Sequence, residues 1–487
     1  MSKFYITTAI DYPSAPAHIG HVYEKVCADV IARWHRRIGD DVFFSTGTDE
    51  HGQKIQKCAL SSGKKPEEFV EGMSKRFIDL WAKLNISYDS FIRTTEKRHE
   101  EIAQNIFKKI YEKGDIYKGL YEGLYCVDCE AFYTEKDLKE GFCPTHNKKV
   151  EKIKEECYFF KMSKYQDKIL EHIQSNKDFI QPETRRNEII NRIKEGIRDL
   201  SVSRSSFNWG IPLPIDEKHI IFVWFDALIN YISVLGYPNK EFRKYWPADI
   251  HLIGKDILWF HAVVWLAILK ACDIELPRKI FVHGFINIKG EKISKSRGVV
   301  VDPLELVRKY GSDAIRYFLL REIPFGEDGD FSEDALIKRI NDDLANDLGN
   351  LVYRTLTMIE KYFKGYIPSA EIIDKKWEQN IDNFSREVNL HMSNLDFNLA
   401  LDKTWELINL ANKYIEDTKP WNLAKENKIE ELKGFIRLLV DVLREVADQI
   451  YSFMPQTAES IIEQLGKDKI KKGKPLFPRI DTPKAEV

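Results

Sequence analysis

The sequence predicts a multidomain α/β fold in which an insertion splits a parallel sheet and a bundle of helices follows. Apolar, β-rich runs alternate with helical patterns over about residues 1–114 and again from about residue 220, an order typical of parallel sheets. Between these regions the alternation gives way to a cysteine- and charge-rich stretch. Beyond about Phe331 the pattern becomes almost entirely helical.

The elements before the insertion follow the order strand, loop, helix. A β-rich run from Phe4 to Ile10 ends in a loop with Pro and Ser, and apolar residues recur at helical spacing from His18 to Ile38. A strand from Val42 to Ser45 comes next, and helices are expected at about Lys64–Leu84 and Lys97–Glu112.

Short strands return after the insertion. They are expected at Ile220–Val223, His251–Gly254 and Lys279–Gly284, with a buried helix from Ile257 to Leu269. The C-terminal helices are expected at Leu336–Phe363, Asn380–Asn394, Asn398–Glu416 and Ile429–Phe453. We interpret the basic run from Lys467 to Lys474 as a solvated end.

Composition narrows the class of protein. The chain has 487 residues, with 74 Lys and Arg against 76 Asp and Glu, so any contact with RNA requires a local patch. The N-terminus has no signal-peptide pattern, and the most apolar stretch is shorter than the ~20 residues that span a bilayer. A cytoplasmic protein is therefore expected. Seven cysteines in such a chain disfavour a disulfide framework.

His18-Ile19-Gly20-His21 lies where the first helix begins. Both imidazoles fall on one face, beside the unpaired N–H groups of the first turn, and such a helix start attracts phosphate. Gly20 permits close approach of a nucleotide to the backbone. For these four residues alone, surface histidines near a helix cap are the alternative interpretation.

A lysine loop follows the last strand of the sheet. Gly290 to Gly298 contains Lys292, Ser294 and Lys295, and closely spaced lysines between glycines suit a loop that closes on a polyphosphate. Lys161-Met162-Ser163-Lys164 is a similar string inside the insertion, but a helical pattern follows it. We assign that second string a structural role, because ligands bind at strand ends in such sheets.

Two aromatic faces are expected beyond the insertion. Trp224, Ala227, Leu228 and Tyr231 share one helix face, and His261 and Trp265 share another. Two such faces could enclose an unbranched thioether, whose sulfur gains from aromatic neighbours. By spacing alone, plain core packing is the alternative.

Cysteine spacing in the insertion indicates zinc. The four residues Cys126, Cys129, Cys143 and His146 form a C-x2-C and C-x2-H set that suits tetrahedral Zn²⁺ without an open coordination position. The metal would be structural.

The histidine motif and the lysine loop, in this order and flanking an insertion, resemble those of the class I aminoacyl-tRNA synthetases. Further strings resemble the methionyl-tRNA synthetases of that class: Thr46-Gly47-Thr48-Asp49-Glu50-His51-Gly52, Trp224-Phe225-Asp226-Ala227, Gly254-Lys255-Asp256 and Lys419-Pro420-Trp421. The resemblance runs over nearly the whole chain. It implies a split Rossmann-type catalytic domain (1–114 and 220–322), a connective insertion (115–219) with a zinc knuckle (about 121–150), a linker or stem-contact region (323–345) and an α-helical anticodon-binding domain (346–487).

The resemblance also implies an activity and its residues. Methionine and ATP, with Mg²⁺, would give methionyl-adenylate and pyrophosphate, and the methionyl group would pass to the 3′-terminal adenosine of tRNA(Met) for initiation and elongation. The expected catalytic residues are His18, His21, Lys292 and Lys295, and ATP would also contact Gly20, Asp256 and Ser294. The expected methionine-binding residues are Asp49 for the ammonium, with Ile10, Tyr12, Trp224, Ala227, Leu228, Tyr231, Phe260, His261 and Trp265 around the side chain. Asn350, Arg354 and Trp421 would recognise the CAU anticodon.

One departure from the family pattern has no explanation in the sequence. Asp11 stands where many relatives have Pro or Tyr, close to the expected phosphate and carboxylate positions. Ile293, which replaces the middle Met of the lysine loop, is a volume-conserving change.

Two rival functions remain at this point. A nucleotidyltransferase of the same superfamily would not require the helical bundle, and a synthetase-like RNA-binding protein without chemistry would not require both histidines and both loop lysines. The chain ends at Val487 after the bundle. A monomer is therefore expected, with a separate tRNA-binding subunit as the alternative.

Overall fold

The computed structural model describes residues 2–128, 130–133, 135, 138–144, 147–288, 291–292, 301–370 and 375–481. The chain forms two compact units. The first comprises Met1–Ala28, His35–Ala82 and Ser87–His283, and the second comprises Asp29–Trp34, Lys83–Ile86 and Gly284–Val487.

The strands, numbered in chain order, are β1 (Lys3–Thr8), β2 (Asp41–Thr48), β3 (Ser90–Arg93), β4 (Ile116–Cys126), β5 (Ala131–Tyr133), β6 (Glu151–Phe160), β7 (Ile180–Gln181), β8 (Leu200–Ser201), β9 (Ser203–Arg204), β10 (Pro212–Leu213), β11 (Asp216–Ile221), β12 (Ile250–Gly254), β13 (Ile280–His283), β14 (Ile286–Ile288), β15 (Glu291–Lys292) and β16 (Gly329–Phe331).

The helices, numbered in the same way, are α1 (Ile19–Arg37), α2 (Gln53–Ser61), α3 (Pro66–Lys83), α4 (Lys97–Glu112), α5 (Gln166–Ser175), α6 (Glu183–Lys194), α7 (Val223–Leu228), α8 (Asn230–Ser233), α9 (Lys240–Tyr245), α10 (Leu266–Ala271), α11 (Pro303–Tyr310), α12 (Ser312–Glu322), α13 (Glu333–Arg339), α14 (Asn350–Phe363), α15 (Lys375–Ser393), α16 (Phe397–Thr418), α17 (Pro420–Lys425), α18 (Ile429–Ile450) and α19 (Pro455–Leu465).

A six-stranded, all-parallel sheet is the centre of the first unit. Its order is β3-β2-β1-β12-β13-β7. On the central strand, Ile6 lies opposite Phe44 of β2 and Ile250 of β12, and all three side chains are buried. Strands covered on both faces read as continuous apolar runs. Parallel pairing brings the carboxyl ends of β1, β2 and β12 to one edge of the sheet, where ligands bind in such folds.

The insertion forms a separate antiparallel sheet of order β5-β4-β6-β8. The other strands that begin within the predicted insertion lie elsewhere. β9, β10 and β11 form a three-stranded antiparallel sheet of order β10-β11-β9. β7 joins the edge of the parallel sheet, with Ile180 opposite Ile280 of β13. The sequence gives no sign of this strand, because two residues are too few for a periodic pattern.

Helices make up most of the second unit. Buried residues recur at helical spacing along α16 and α18, which pack against each other and against α15. Such stripes indicate helices that bury one face in a common core. The fold class predicted from the sequence, a parallel sheet interrupted by an insertion and followed by a helix bundle, is confirmed. None of the helices among the described residues is long and apolar enough to cross a bilayer.

One local expectation differs from the structure. The helix expected from Trp224 to Tyr231 is divided at Ile229 into α7 and α8. The Asn230 side chain donates a hydrogen bond to the Ala227 carbonyl at 2.7 Å, an interaction that competes with backbone helix bonding.

The backbone of the basic run from Lys467 to Lys474 is held by hydrogen bonds. Its lysine side chains are exposed, but its backbone pairs with the turn after α14. Ile367 N donates to Asp468 O, and Ile470 N donates to Gly365 O, both at 2.9 Å. The run is therefore solvated, as expected, while its backbone is held by hydrogen bonds.

Candidate functional site

The histidine motif lies at the start of α1. The His18 and His21 rings stack with their centroids 3.8 Å apart. His21 Nδ1 accepts a hydrogen bond from His18 N, and His18 Nδ1 accepts one from Gly20 N, both at 3.1 Å. Because each Nδ1 is an acceptor, a neutral ring carries its proton on Nε2, the donor that a phosphate oxygen needs. A Cβ on Gly20 would lie 3.0 Å from the His18 ring, so glycine suits this position.

The other expected ATP contacts are described only in part. Asp256 is exposed in the helical turn Lys255–Ile257 that follows β12. The backbone of Lys292 ends β15, opposite Asn287 of β14. The Lys292 side chain, and Ser294 and Lys295 entirely, lie outside the described residues. Their roles remain predictions.

The second lysine string is part of the insertion's structure. Met162 is buried in the turn Met162–Tyr165, which leads directly into α5. Lys164 Nζ bonds to the buried carboxylate of Asp115 at 2.6 Å, and Ser163 Oγ donates to Asp199 at 2.6 Å. Lys161 Nζ donates to Gly114 O at 2.8 Å. These bonds fit the structural role predicted for the string.

Aromatic side chains predicted for the methionine pocket meet in the first unit. His261 Nδ1 donates to Ile257 O at 2.9 Å, so His261 Nε2 accepts the Tyr231 hydroxyl at 2.6 Å. Trp265 lies 5.8 Å from the Tyr231 ring, centroid to centroid. Burial lowers the pKa of His261 to about 4, so this ring is neutral at pH 7 and offers no charge to a ligand.

The remaining pocket residues fall into two neighbouring groups. The Trp224 and Phe260 rings stack at 3.7 Å, and Tyr12 and Trp224 both pack against a buried cluster of Tyr125, Phe222 and Val223. Leu228 belongs to the main core of the unit, against which Ile10 and Phe260 pack, and Ala227 is buried beside it on α7. The structure thus brings together the apolar residues that the sequence proposes, and methionine binding by them stays a prediction.

Asp49 follows β2 at the sheet edge and is buried. Its Oδ1 accepts no hydrogen bond from any residue that the structure describes. Burial raises the pKa of Asp49 well above its usual range, and the nearby Asp226 and Glu130 carboxylates raise it further. A buried carboxylate oxygen without a partner is costly, and a cationic ligand group would satisfy it.

Glu130 is a residue that the sequence analysis missed. Its Oε1 accepts from Lys54 N at 2.7 Å and lies 3.2 Å from the Tyr12 hydroxyl, and its Oε2 contacts the Tyr125 hydroxyl. The carboxylate therefore links the insertion to a predicted pocket residue. No sequence signal identifies it, because Glu130 lies in an irregular, charge-rich stretch.

Half of the expected zinc set is described. Cys126 ends β4 and Cys143 begins a tight turn in which Asn147 N donates to Cys143 O at 2.8 Å, and both cysteines are buried. Buried thiols in short turns fit the soft donors of a closed structural zinc site. Cys129 and His146 lie outside the described residues, so the four-ligand set remains a prediction.

The expected anticodon residues lie in the second unit. Asn350 is exposed and Arg354 partly exposed on α14, and Arg354 Nη1 pairs with Glu416 of α16 at 3.2 Å. Trp421 lies on α17, just after Pro420, with 43% of its surface exposed. Without the resemblance this tryptophan would be interpreted as a buried corner residue. Its exposure instead suits stacking with an unpaired base.

Comparisons with known proteins cover nearly the whole chain. The family model described as tRNA synthetases class I (M) matches residues 4–152 and 137–356, and the model described as the anticodon-binding domain of tRNA ligase matches residues 374–484. A methionine–tRNA ligase of Caldanaerobacter subterraneus subsp. tengcongensis is 53% identical over 99% of this chain and 79% of its own length. That of Bacillus subtilis is 45% identical over 99% of this chain and 78% of its own length.

Solved structures agree with these matches. The methionyl-tRNA synthetase of Mycobacterium tuberculosis in complex with methionyl-adenylate has a TM-score of 0.95 and 40% identity, covering 98% of this chain and all of its own. The fold and the matched models define a class I aminoacyl-tRNA synthetase. Within that class, the chain belongs to the methionyl-tRNA synthetase family.

Proposed function

We propose that this chain is a methionine–tRNA ligase, which activates methionine with ATP and charges tRNA(Met) for initiation and elongation. The single observation that carries the proposal is Asp49, a buried carboxylate with an oxygen that no described residue satisfies. Burial raises the pKa of Tyr12, a member of the apolar pocket, and the charges of Glu130 and Asp49 raise it further. An anionic acceptor beside an aromatic pocket suits an α-amino acid with an unbranched, apolar side chain. Membership of the family supports the same substrate.

The first step forms a bond between a methionine carboxylate oxygen and the α-phosphorus of ATP, in line with the oxygen that leaves with pyrophosphate. Charge grows on the departing oxygens, so fixed donors and cations are the main help that a protein gives. His18 and His21 would donate from Nε2 to the α-phosphate. Lys292, Ser294 and Lys295 would hold the pyrophosphate. Gly20 and Asp256 would contact the nucleotide, and Mg²⁺ would bind its phosphates.

The second step transfers the methionyl group from the adenylate to the terminal adenosine of tRNA and releases AMP. We propose that Asn350 and Arg354 hydrogen-bond to the CAU anticodon and that Trp421 stacks on one of its bases, because exposed Trp, Arg and Asn suit unpaired bases. Trp421 lies in the region that matches an anticodon-binding family model, which a nucleotidyltransferase without RNA would not need.

We also propose a structural Zn²⁺ on Cys126, Cys129, Cys143 and His146, a cytoplasmic location and a monomeric state, and a domain division at the boundaries that the sequence predicts. The zinc would hold the turns around Cys126 and Cys143 and take no part in the chemistry. Elemental analysis of the purified protein would return one zinc per chain. Cys126→Ser with Cys143→Ser would remove it.

The function is tested by ATP–pyrophosphate exchange with each of the twenty amino acids, followed by charging of tRNA(Met). Exchange with methionine alone, and charging, are expected. No exchange with methionine would refute the proposal, and exchange without charging would favour a nucleotidyltransferase.

The chain contains its own control for the lysine loop. Lys292→Ala with Lys295→Ala would lower exchange by roughly 100- to 1000-fold, the loss typical of a charge-stabilising donor. Lys161→Ala with Lys164→Ala also removes two lysines from a Lys-x-Ser-Lys string, but would leave exchange close to that of the wild type. Equal losses in the two double variants would contradict the assignment of the loop.

A further inference from the structure

Asp226 lies at the centre of a buried hydrogen-bonded chain in the first unit. Its Oδ2 lies 2.7 Å from His51 Nδ1, and its Oδ1 lies 2.7 Å from His99 Nε2. His99 Nδ1 lies 2.7 Å from Ser233 Oγ. All four residues are buried, and none of them belongs to the site proposed above.

The positions of the protons in this hydrogen-bonded chain follow from the chemistry of its groups. An ionised carboxylate only accepts hydrogen bonds, so both histidines donate to Asp226. Although burial opposes both charges, Asp226 raises the pKa of His51, and the two histidines lower the pKa of Asp226. A buried carboxylate is stable only with such donors. The geometry therefore favours one arrangement of the loop after β2, which carries His51, with α4 and α7.

The hydrogen-bonded chain around Asp226 joins the two halves of the proposed methionine site. His51 lies two residues after Asp49, and its backbone oxygen accepts the Tyr12 hydroxyl at 3.0 Å. Asp226 directly precedes Ala227 on α7 and lies two positions before Leu228. A single carboxylate thus connects the loop that carries the ammonium acceptor to the helix that carries the side-chain pocket, and His99 of α4 supports it from the far side.

We propose that Asp226 is a positioning residue that fixes the distance between the ammonium acceptor and the side-chain pocket, and so selects amino acids by side-chain length. This inference rests on the proposed function. A fixed distance matters for methionine because its thioether is a weak hydrogen-bond acceptor, so selection depends mainly on shape.

A purely electrostatic role is distinguished by side-chain length. Loss of the Asp226 charge would remove an attraction for the ammonium group that every amino acid carries, so it would weaken all amino acids alike and leave discrimination between side chains unchanged. A positioning role predicts weaker methionine binding when Asp226 is changed, because the loop and the helix lose their common anchor.

The test uses the full chain and methionine-dependent ATP–pyrophosphate exchange. Asp226→Asn would raise the KM for methionine by roughly 10- to 100-fold, the range for a hydrogen bond to a charged group, with a smaller change in kcat. Discrimination against the shorter S-methylcysteine and the longer ethionine would decrease. An unchanged or lower KM, a loss confined to kcat, or undiminished discrimination would overturn the inference.

Two variants of His99 test the inference if Asp226→Asn does not fold. His99→Leu removes a donor to Asp226 and would raise the KM in the same way, whereas His99→Gln restores an N–H near the Nε2 position and would recover most of the affinity. Equal behaviour of His99→Leu and His99→Gln would also overturn the inference. If the wild-type chain shows no exchange with methionine, the proposed function fails instead.

Discussion

Lys25 provides the partner of Asp11, the residue whose departure from the family pattern has no explanation in the sequence. Its Nζ donates to Asp11 Oδ1 at 3.0 Å, to Glu24 Oε1 at 2.8 Å and to the Ala9 carbonyl at 3.0 Å. Lys25 is fully buried. Burial opposes its charge, but the two carboxylates raise the pKa of Lys25. Asp11 and Lys25 lie on different elements, so only the folded chain shows that they compensate each other.

Lys25→Met would destabilise the protein because it leaves two carboxylates buried without their cation. The expected loss is about 3–5 kcal/mol in the free energy of unfolding. Asp11→Asn combined with Lys25→Met would lose less, because Glu24 retains the His283 ring at 3.1 Å. Denaturant unfolding of both variants measures the difference. A double variant no more stable than Lys25→Met would argue against the pair.

The raised pKa of Asp49 gives methionine binding a pH dependence. The ammonium group needs an ionised carboxylate, and Asp49 becomes protonated as the pH falls through its raised pKa. The KM for methionine would therefore rise on acidification from neutral pH and fall as the pH increases. Asp49→Asn would show a high KM without this pH dependence. Exchange kinetics across the pH range measure both, and a flat wild-type profile would contradict the assignment of Asp49.

At the scale of elements, the close approach of β2 and β3 depends on one glycine. Gly47 lies opposite Ile92, and a Cβ on Gly47 would lie only 1.9 Å from the Ile92 carbonyl oxygen. A side chain there would push the strands apart just before Asp49. Gly47 is thus required by packing against a neighbouring backbone.

Gly47→Ala would lower the free energy of unfolding by about 1–3 kcal/mol or more, as overpacking does, and would raise the KM for methionine. Gly72→Ala is the control. Gly72 lies in α3, where a Cβ would have no neighbouring atom within 4 Å, so alanine would stabilise the helix by about 0.5–1 kcal/mol. Unfolding midpoints of the two variants would move in opposite directions.

Long, periodic helices and apolar strands such as β12 could be predicted from the sequence, whereas two-residue strands and irregular segments could not. The expected helix Lys97–Glu112 is α4 residue for residue, because its apolar face repeats over four turns. β7 was missed because its pairing depends on a partner about 100 residues away. Asp49 was found from its string of neighbours, whereas Glu130 and the bonds of Asp226 depend on tertiary contacts that no local pattern encodes.

At the scale of the whole molecule, the proposed activation residues and the proposed anticodon residues form separate sets. His18, His21 and Asp49 lie in the first unit. The proposed anticodon residues lie in the second unit, which also contains Lys292 of the lysine loop. A change in the second set should therefore affect tRNA charging without affecting exchange.

Trp421→Ala would lower kcat/KM for tRNA(Met) by about 5- to 150-fold, since stacking contributes ~1–3 kcal/mol per base, while methionine-dependent exchange stays unchanged. Tyr366→Ala is a matched control, because Tyr366 is another exposed aromatic residue of the second unit, with 57% of its surface exposed, and lies beyond the end of α14. Loss of exchange in Trp421→Ala, or equal loss of charging in both variants, would contradict the proposal.

The strand that the insertion contributes to the parallel sheet constrains how the chain can be shortened. β7 covers the outer side of β13. Excision of residues 115–219 would therefore leave the N–H and C=O groups of β13 open along a row of apolar side chains. Unprotected edges of this kind recruit strands from other molecules. A shortened enzyme would aggregate unless the excision kept Ile180–Gln181 or charged residues were introduced along the exposed edge of β13. A homologue with a shorter insertion would need another segment to cover the same edge.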